Sequence, residues 1–325
     1  MNCLCCGKPL PIAEENTGWH TSCVKRFFGT REIPELDISD PALELLAAES
    51  VGKGYTVPGV QKKLSLHLAP TGKPRLTLVN YPTWYILKPQ AKEYSALPEA
   101  ENLVMCMAEA CGIATVPHAL ILMGEKRAYI TKRVDRIIAS GAPPRMLAME
   151  DFCQLDLRLT QDKYRGSYER CAKIIGRYSS RTGLDLSELF LRLAFSFLTG
   201  NSDMHLKNFS LLETAEGSGQ YVLSPAYDLL PVNVILPEDT EEAALTMNGK
   251  KKNLRRKDFL LFAEACGIGT KAAQKMLEML LSMRPRLIEM IGESLLPETM
   301  KADFAALLDS RAHALQSSGS ITGGI

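Results

Sequence analysis

Apolar and polar positions follow two rhythms along this chain, and the change from one to the other divides it. From Gly52 to Pro89 the run GKGYTVPGVQKKLSLHLAPTGKPRLTLVNYPTWYILKP shows short β-branched and alternating stretches cut by glycine and proline, which predicts a meander of antiparallel strands. PEAENLVMCMAEACG then sets Leu103, Val104, Met107 and Cys111 on one helical face, closed by Gly112. Two more strands are expected in PHALILMG and RAYITKRVD. Ahead of the meander, LDISDPALELLAAES reads as a short helix with Asp40 as N-cap and Pro41 at the first helical position.

Beyond Ala148 the helical period takes over, in SYERCAKIIGRYSSRTG, in DLSELFLRLAFSFLTG and in TKAAQKMLEMLLSMRPRLIEMIGESLL, the last broken at Pro285. Between the second and third lies FSLLETAEGSGQYVLSPAYDLLPV, two strands joined by a glycine-rich turn. The tail SSGSITGGI has the composition of a disordered end. No internal repeat is visible. A sheet-rich part followed by a helix-rich part is a two-lobed α+β arrangement. The expected organisation is residues 1–30 as a cysteine-rich segment, 31–148 as a sheet-rich lobe, 149–316 as a helical lobe containing the hairpin, and 317–325 as the tail.

Composition narrows the partners. With 38 basic and 37 acidic side chains the net charge is +1, so no global field draws the molecule to nucleic acid or to a membrane. No apolar run reaches the roughly 18 residues of a spanning helix, and MNCLCCGKPL lacks a signal core, so a cytoplasmic, membrane-free protein is expected. Five of the nine cysteines (Cys106, Cys111, Cys153, Cys171, Cys266) stand singly in apolar helical patterns, as buried thiols do in a reducing compartment.

The other four cysteines cluster. Cys3-x2-Cys6 and His20-x2-Cys23 are separated by 13 residues, the spacing of a zinc ribbon, and so short a segment needs a structural Zn²⁺ to be stable. Cys5 is a spare that could replace either neighbour. The bland alternative is a set of free thiols on a frayed terminus.

The densest chemistry lies in GNSDMHLKNFS, which collects Asn201, Asp203, His205, Lys207 and Asn208 directly after an apolar run. Asp203 and Asn208 stand at the start of the predicted hairpin and Asp228 at its end, so folding it gathers two carboxylates and an amide. Hard oxygen donors of this kind suit Mg²⁺ carrying substrate phosphates. Asp-x4-Asn is also the spacing of a protein-kinase catalytic loop, with Asp228 where the second metal-binding aspartate would stand.

The runs VPGVQKKLS, YILKP, KRVDR, MEDFCQ, KYRGSYERCAKII, GNSDMHLKNFS and SPAYDLLP, in this order from about Thr56 to Pro231, resemble the HipA family of bacterial toxin serine/threonine kinases. The resemblance implies a protein-kinase-like fold that uses ATP and Mg²⁺. It implies Asp203 as catalytic base, Asn208 and Asp228 as magnesium ligands, Lys88 on the nucleotide phosphates, and Lys207 on the transferred phosphoryl group. The stretch Thr56, Val57, Pro58, Gly59 resembles the family's glycine-rich loop, with Lys63 adding charge nearby. Glu150, Asp151 and Phe152 resemble the adenine-binding hinge, and Glu101 is a candidate partner for Lys88, although Glu99 and Glu101 both begin a helix where acids are favoured anyway.

Departures qualify the resemblance. The family autophosphorylates a serine in the glycine-rich loop, and Thr56 holds that position. KRVDR replaces ERFDR, leaving Asp135 and Arg136 to carry the local pairing. The cysteine-rich segment occupies the place of an N-terminal subdomain that full-length members carry, so the chain resembles the short HipT-like type. That type implies separate HipS-like and HipB-like antitoxins, with DNA met only through the antitoxin, and a protein substrate such as an aminoacyl-tRNA synthetase whose phosphorylation arrests growth. Two other readings remain open: a non-catalytic nucleotide- or DNA-binding regulator with a degenerate kinase fold, and a small-molecule kinase. His205 is expected to hold the loop rather than to bind metal. NGKKKNLRRKDF, from Asn248 to Phe259, reads as a solvated hairpin tip, with a nucleic-acid patch as its alternative.

Overall fold

The computed structural model describes residues 1–37, 63–68, 74–78, 83–137 and 145–316. The Asp40-capped helix, the loop of Thr56, Val57 and Gly59, and the tail lie outside the described residues. The chain forms two compact units, Met1–Asn102 with Val116–Arg136, and Leu103–Thr115 with Ile137–Ile325.

The first unit is built on a sheet of β1 (Glu35–Asp37), β2 (Leu64–Leu68), β3 (Arg75–Leu78), β4 (Tyr85–Pro89), β5 (His118–Met123) and β6 (Lys126–Lys132), in the order β1-β3-β2-β4-β6-β5. All neighbours are antiparallel except β1 and β3. Strand β2 shows the period that the sequence predicts: Leu64, Leu66 and Leu68 are buried, while Ser65 faces out. Strand β4 breaks the period, because Lys88 is buried beside Leu87.

The cysteine-rich segment belongs to this unit. Its helix α1 (Thr21–Phe28) ends at Gly29, whose φ of 76° provides the left-handed C-cap. Trp19, Phe27, Phe28 and Tyr85 of β4 form one aromatic cluster with ring centroids 4.9 to 5.9 Å apart. Trp19 Nε1 donates to the Leu120 carbonyl at 3.1 Å, and the Leu120 amide donates to the Leu4 carbonyl at 2.9 Å. The segment is thereby bonded to β5 and packed on β4, and burying each large aromatic side chain contributes about 1.5–3 kcal/mol.

Helix α2 (Leu97–Ala110) follows the expected boundaries, with Gly112 at φ 78° just beyond it. The second unit contains α3 (Phe152–Leu155), α4 (Tyr168–Tyr178), α5 (Thr182–Leu198), α6 (Arg256–Ala265), α7 (Thr270–Ser282), α8 (Arg284–Glu293) and α9 (Glu298–Gln316). Its sheet is β7 (Met149–Asp151), β8 (Ser210–Glu213) and β9 (Tyr221–Leu223), with β8 in the centre and both pairings antiparallel. Helix α5 is buried on every side from Leu189 to Leu198 and packs against α4, α6, α7 and α9. The break between α7 and α8 falls at Met283, with Pro285 in the first turn of α8, where its missing N–H costs nothing. Asn248 and Gly249 form the expected tight turn, both at positive φ, with Met247 and Lys250 exchanging backbone hydrogen bonds. The basic residues after it do not stay in a hairpin tip. Arg256 and Lys257 open α6, because Phe259, Phe262 and Ala263 supply a buried helical face.

Candidate active site

Three groups of side chains carry the candidate chemistry, two on one unit and one on the other.

The first is the loop after α5. Gly200 has a φ of 69°, and a Cβ there would run into Leu307, so both the turn and the close approach of α9 need glycine. Asn201 Oδ1 accepts from the Asp203 amide at 3.3 Å, and Asn208 Nδ2 donates to the Asp203 carbonyl at 2.8 Å. These two amides clamp the backbone of Asp203 from either side. The Asn208 contact also assigns its Nδ2 inward, which keeps Oδ1 as the oxygen end available to a hard cation. Asp203 itself is half exposed, 47% for its side chain. Its Oδ1 accepts from the Tyr164 hydroxyl at 2.7 Å. Burial, then the charge of Asp203, pushes the Tyr164 phenol well above its ordinary range, so it stays protonated and remains a donor. His205 is buried, stacks edge-on to Tyr164 with centroids 5.0 Å apart, and has Nε2 4.0 Å from Asp203. It sits in the frame of the loop, as the sequence suggests.

The hairpin closes as its length predicts. Leu211 pairs with Leu223, and the Ser224 amide donates to the Ser210 carbonyl at 2.8 Å. The Tyr227 hydroxyl then joins the two ends, 2.6 Å from Ser210 Oγ and donating to the Lys207 carbonyl at 3.1 Å. Asp228 follows it with a φ of 56°, a left-handed conformation that costs a non-glycine residue about 1–2 kcal/mol.

Lys207 and the residues that resemble a hinge make the following contacts. Lys207 Nζ is 2.5 Å from Asp151 Oδ2, an ion pair 56 residues apart in the chain. Asp151 is also the N-cap of α3 and accepts from the Gln154 amide. The ammonium is thus held at the head of α3. Phe152 is fully buried, stacked on Phe209, and its amide donates to the Phe209 carbonyl at 2.9 Å, so that N–H is not available to adenine. Glu150 is exposed. The sequence does not single out the groups that brace this loop from α5. Asp185 Oδ2 accepts from the Leu223 amide at 2.7 Å, and the Arg192 guanidinium donates to the Ser224 carbonyl at 2.7 Å and to Glu188 at 2.8 Å. Their signal in the sequence is Asp185 and Arg192 set among the leucines and phenylalanines of the helix.

The second group lies in the first unit. Lys88 Nζ donates to the Glu101 carboxylate in a buried ion pair, with side-chain exposures of 3% and 0%. The ammonium also lies 5.2 Å from the centre of the Tyr129 ring, the cross-strand neighbour of Lys88. The helix offers two acids, and the structure separates them: Glu99 turns to Arg127 at 3.2 Å, and Glu101 takes the lysine. Lys63 stands exposed just ahead of β2. Asp135 accepts from Arg133 at 3.0 and 2.8 Å and from Arg136 at 2.5 Å, so the KRVDR motif pairs through its aspartate as expected.

The third group, also in the first unit, is the cysteine-rich cluster. The ligand atoms of Cys3, Cys6, His20 and Cys23 all lie within 4.8 Å of one another. Among the described residues they are the one set of three or more His, Cys, Asp or Glu side chains close enough to share a metal ion.

Residues 55–287 match the family described as the HipA-like C-terminal domain. Among proteins of similar sequence, "Putative kinase Y4mE" of Sinorhizobium fredii is 29% identical over 236 residues, 70% of this chain and 54% of that protein. A "Putative kinase" of Haemophilus influenzae is 26% identical over 277 residues, 76% of this chain and 77% of that protein. The chain thus spans about half the length of the Sinorhizobium relative. Among solved structures, HipA of Shewanella oneidensis, in a complex with HipB and operator DNA, superposes with a TM-score of 0.66 at 20% identity, over 80% of this chain and 65% of that one. The Helicobacter pylori proinflammatory kinase CtkA superposes with a TM-score of 0.53 at 16% identity, over 78% and 94%. Both likenesses are of fold.

Proposed function

The chain belongs to the HipA family of kinases, and from that premise we propose that it is an ATP- and Mg²⁺-dependent serine/threonine protein kinase, the toxin of a toxin–antitoxin module. Its substrate would be a cytosolic component of translation such as an aminoacyl-tRNA synthetase, and its regulators HipS-like and HipB-like proteins. The observation that carries the reading is the loop of Asp203, clamped by Asn201 and Asn208 and continued by a hairpin that returns Asp228 to the same end.

In this reading the hydroxyl oxygen of a serine or threonine attacks the γ-phosphorus of ATP. The bond from that phosphorus to the β,γ-bridging oxygen breaks, ADP leaves, and the hydroxyl proton passes to Asp203. Tyr164 donates to Oδ1 of Asp203 and so would orient the carboxylate that receives the proton. Asn208 Oδ1 and the Asp228 carboxylate are hard oxygen donors of the kind Mg²⁺ takes, and the inward Nδ2 of Asn208 fits that role. The metal would supply charge neutralisation for the transferring phosphate. Lys88, fixed by Glu101, presents its ammonium to the nucleotide phosphates. Lys207, ion-paired with Asp151, would contribute charge for the transferred phosphoryl group.

The test is to induce the wild-type chain and its Asp203→Ala variant in bacteria and to compare growth and phosphopeptides. The wild type is expected to arrest growth and to add phosphoserine or phosphothreonine to a translation protein that the variant leaves unmodified. Arrest by both proteins overturns the catalytic reading. Asp203-dependent phosphorylation confined to proteins outside translation overturns the target and leaves the kinase.

A further inference from the structure

We propose that the N-terminal segment holds one structural Zn²⁺ on Cys3 Sγ, Cys6 Sγ, Cys23 Sγ and His20 Nδ1, and that this ion fastens the segment to the sheet carrying Lys88. The proposal is independent of the kinase reading.

The distances have the right scale. A tetrahedral zinc with bonds of about 2.3 Å to sulfur and about 2.0–2.1 Å to nitrogen sets sulfur–nitrogen edges of about 3.6 Å and sulfur–sulfur edges of about 3.8 Å. His20 Nδ1 lies 3.4 Å from Cys6 Sγ and 3.9 Å from Cys23 Sγ, and every ligand atom is within 4.8 Å of the others. The second nitrogen of the ring selects the tautomer. His20 Nε2 lies 3.0 Å from the Pro9 carbonyl, which can only accept, so the proton is on Nε2 and the lone pair of Nδ1 points into the thiols.

The surrounding groups suit thiolates. The His20 amide points at Cys3 Sγ at 3.4 Å, and the Arg26 guanidinium at Cys23 Sγ at 3.8 Å. Three thiolates and one Zn²⁺ leave a net charge of −1, and Arg26 supplies the +1 that balances it. Gly7, at φ 70°, allows the tight turn in which its amide returns to the Cys3 carbonyl at 2.9 Å. Cys5 is outside the ligand set, so the structure chooses Cys3 and Cys6 where the spacing left a spare. Four protein ligands fill the tetrahedron, which makes the ion structural. Its mechanical connection is short: His20 adjoins Trp19, which is bonded to Leu120 of β5, and Cys23 lies one helical turn before Phe27, which packs on Tyr85 of β4.

The test is metal analysis of the full chain purified without added metal, together with Cys5→Ser, Cys6→Ser and His20→Ala, each checked for folding by circular dichroism. One equivalent of zinc is expected in the wild type and in Cys5→Ser, with loss of more than half in Cys6→Ser and His20→Ala. Should those two variants fail to fold, replacement of the metal in the wild type by Co²⁺ decides. The visible bands of a tetrahedral three-sulfur, one-nitrogen site support the assignment, and an octahedral spectrum or no binding overturns it. Less than half an equivalent of zinc in folded wild type, or loss of zinc in Cys5→Ser to the same degree as in Cys6→Ser, also overturns it.

Discussion

Replacing Lys88 by methionine removes the ammonium from a pair in which both side chains are almost completely buried. Glu101 is then a carboxylate in the interior without its cation, and breaking a buried pair in this way costs about 3–5 kcal/mol. Glu101→Leu removes the carboxylate from the same buried pair and costs a similar amount. The double variant Lys88→Met, Glu101→Leu removes both charges of the pair, and its stability should return to within about 1 kcal/mol of wild type or exceed it. The same helix provides a control: Arg127 and Glu99 pair at 3.2 Å with the arginine 38% exposed, so Glu99→Ala should cost less than about 1 kcal/mol. Both tryptophans, Trp19 and Trp84, lie in the first unit, so urea unfolding followed by tryptophan fluorescence reads the stability of the unit that contains the pair. Phosphotransfer should separate from stability, because the double variant folds and still lacks the ammonium for the nucleotide phosphates. A cost below about 1 kcal/mol for Lys88→Met, or a double variant whose loss equals the sum of the singles, refutes the reasoning.

Tyr164→Phe removes the donor that restrains Asp203, and the turnover number should fall about 3–10-fold with the KM for ATP unchanged; a changed KM alone would place Tyr164 in nucleotide binding. Gly200→Ala forces a side chain into a left-handed turn against Leu307 and should destabilise the second unit by about 1–3 kcal/mol in chemical denaturation, whereas an unchanged midpoint would mean that the loop can re-form. Burial works against the Asp135 carboxylate, but Arg133 and Arg136 outweigh it and hold it below its ordinary range. A depressed carboxylate contributes stability above its unfolded value of about 3.9, and loses it as the pH falls through the lower folded value. Asp135→Asn should therefore destabilise the chain at neutral pH and lose that difference only in acid, as denaturation at several pH values would show. Lys207→Ala should slow phosphotransfer without weakening ATP binding, and Asp151→Asn, which frees the ammonium, should not slow it comparably; equal losses would give the ion pair a structural role only.

What the chain discloses about itself depends on how local each feature is. The neighbourhood of Asp203 and Asn208 was legible from the loop spacing, and the hairpin that follows was legible from its regular length. The closeness of Cys3, Cys6, His20 and Cys23 was legible from their spacing, but the exclusion of Cys5 from the cluster and the turn of His20 Nε2 to the Pro9 carbonyl depend on side-chain directions that spacing does not encode. The pairing of Lys207 with Asp151 crosses 56 positions, and the bracing of Leu223 and Ser224 by Asp185 and Arg192 crosses 38 and 32. No local pattern carries such information. Strand β1 is three residues long and pairs in parallel, too short for an alternation to appear. Helix α9 was missed although Phe304, Leu308, Ala312 and Leu315 repeat at helical spacing, because Leu307 and several alanines on other faces blur the stripe.

The central claim is that Asp203 serves a phosphotransfer reaction. The most direct measurement is transfer of the γ-phosphate of labelled ATP, with Mg²⁺ and a bacterial lysate, by wild-type protein and by Asp203→Asn at matched folding. The account predicts Mg²⁺-dependent labelling of a protein on serine or threonine by the wild type, reduced about 10²–10⁴-fold in the variant while ATP binding persists. Equal labelling by the two proteins, or none by the wild type, would contradict it.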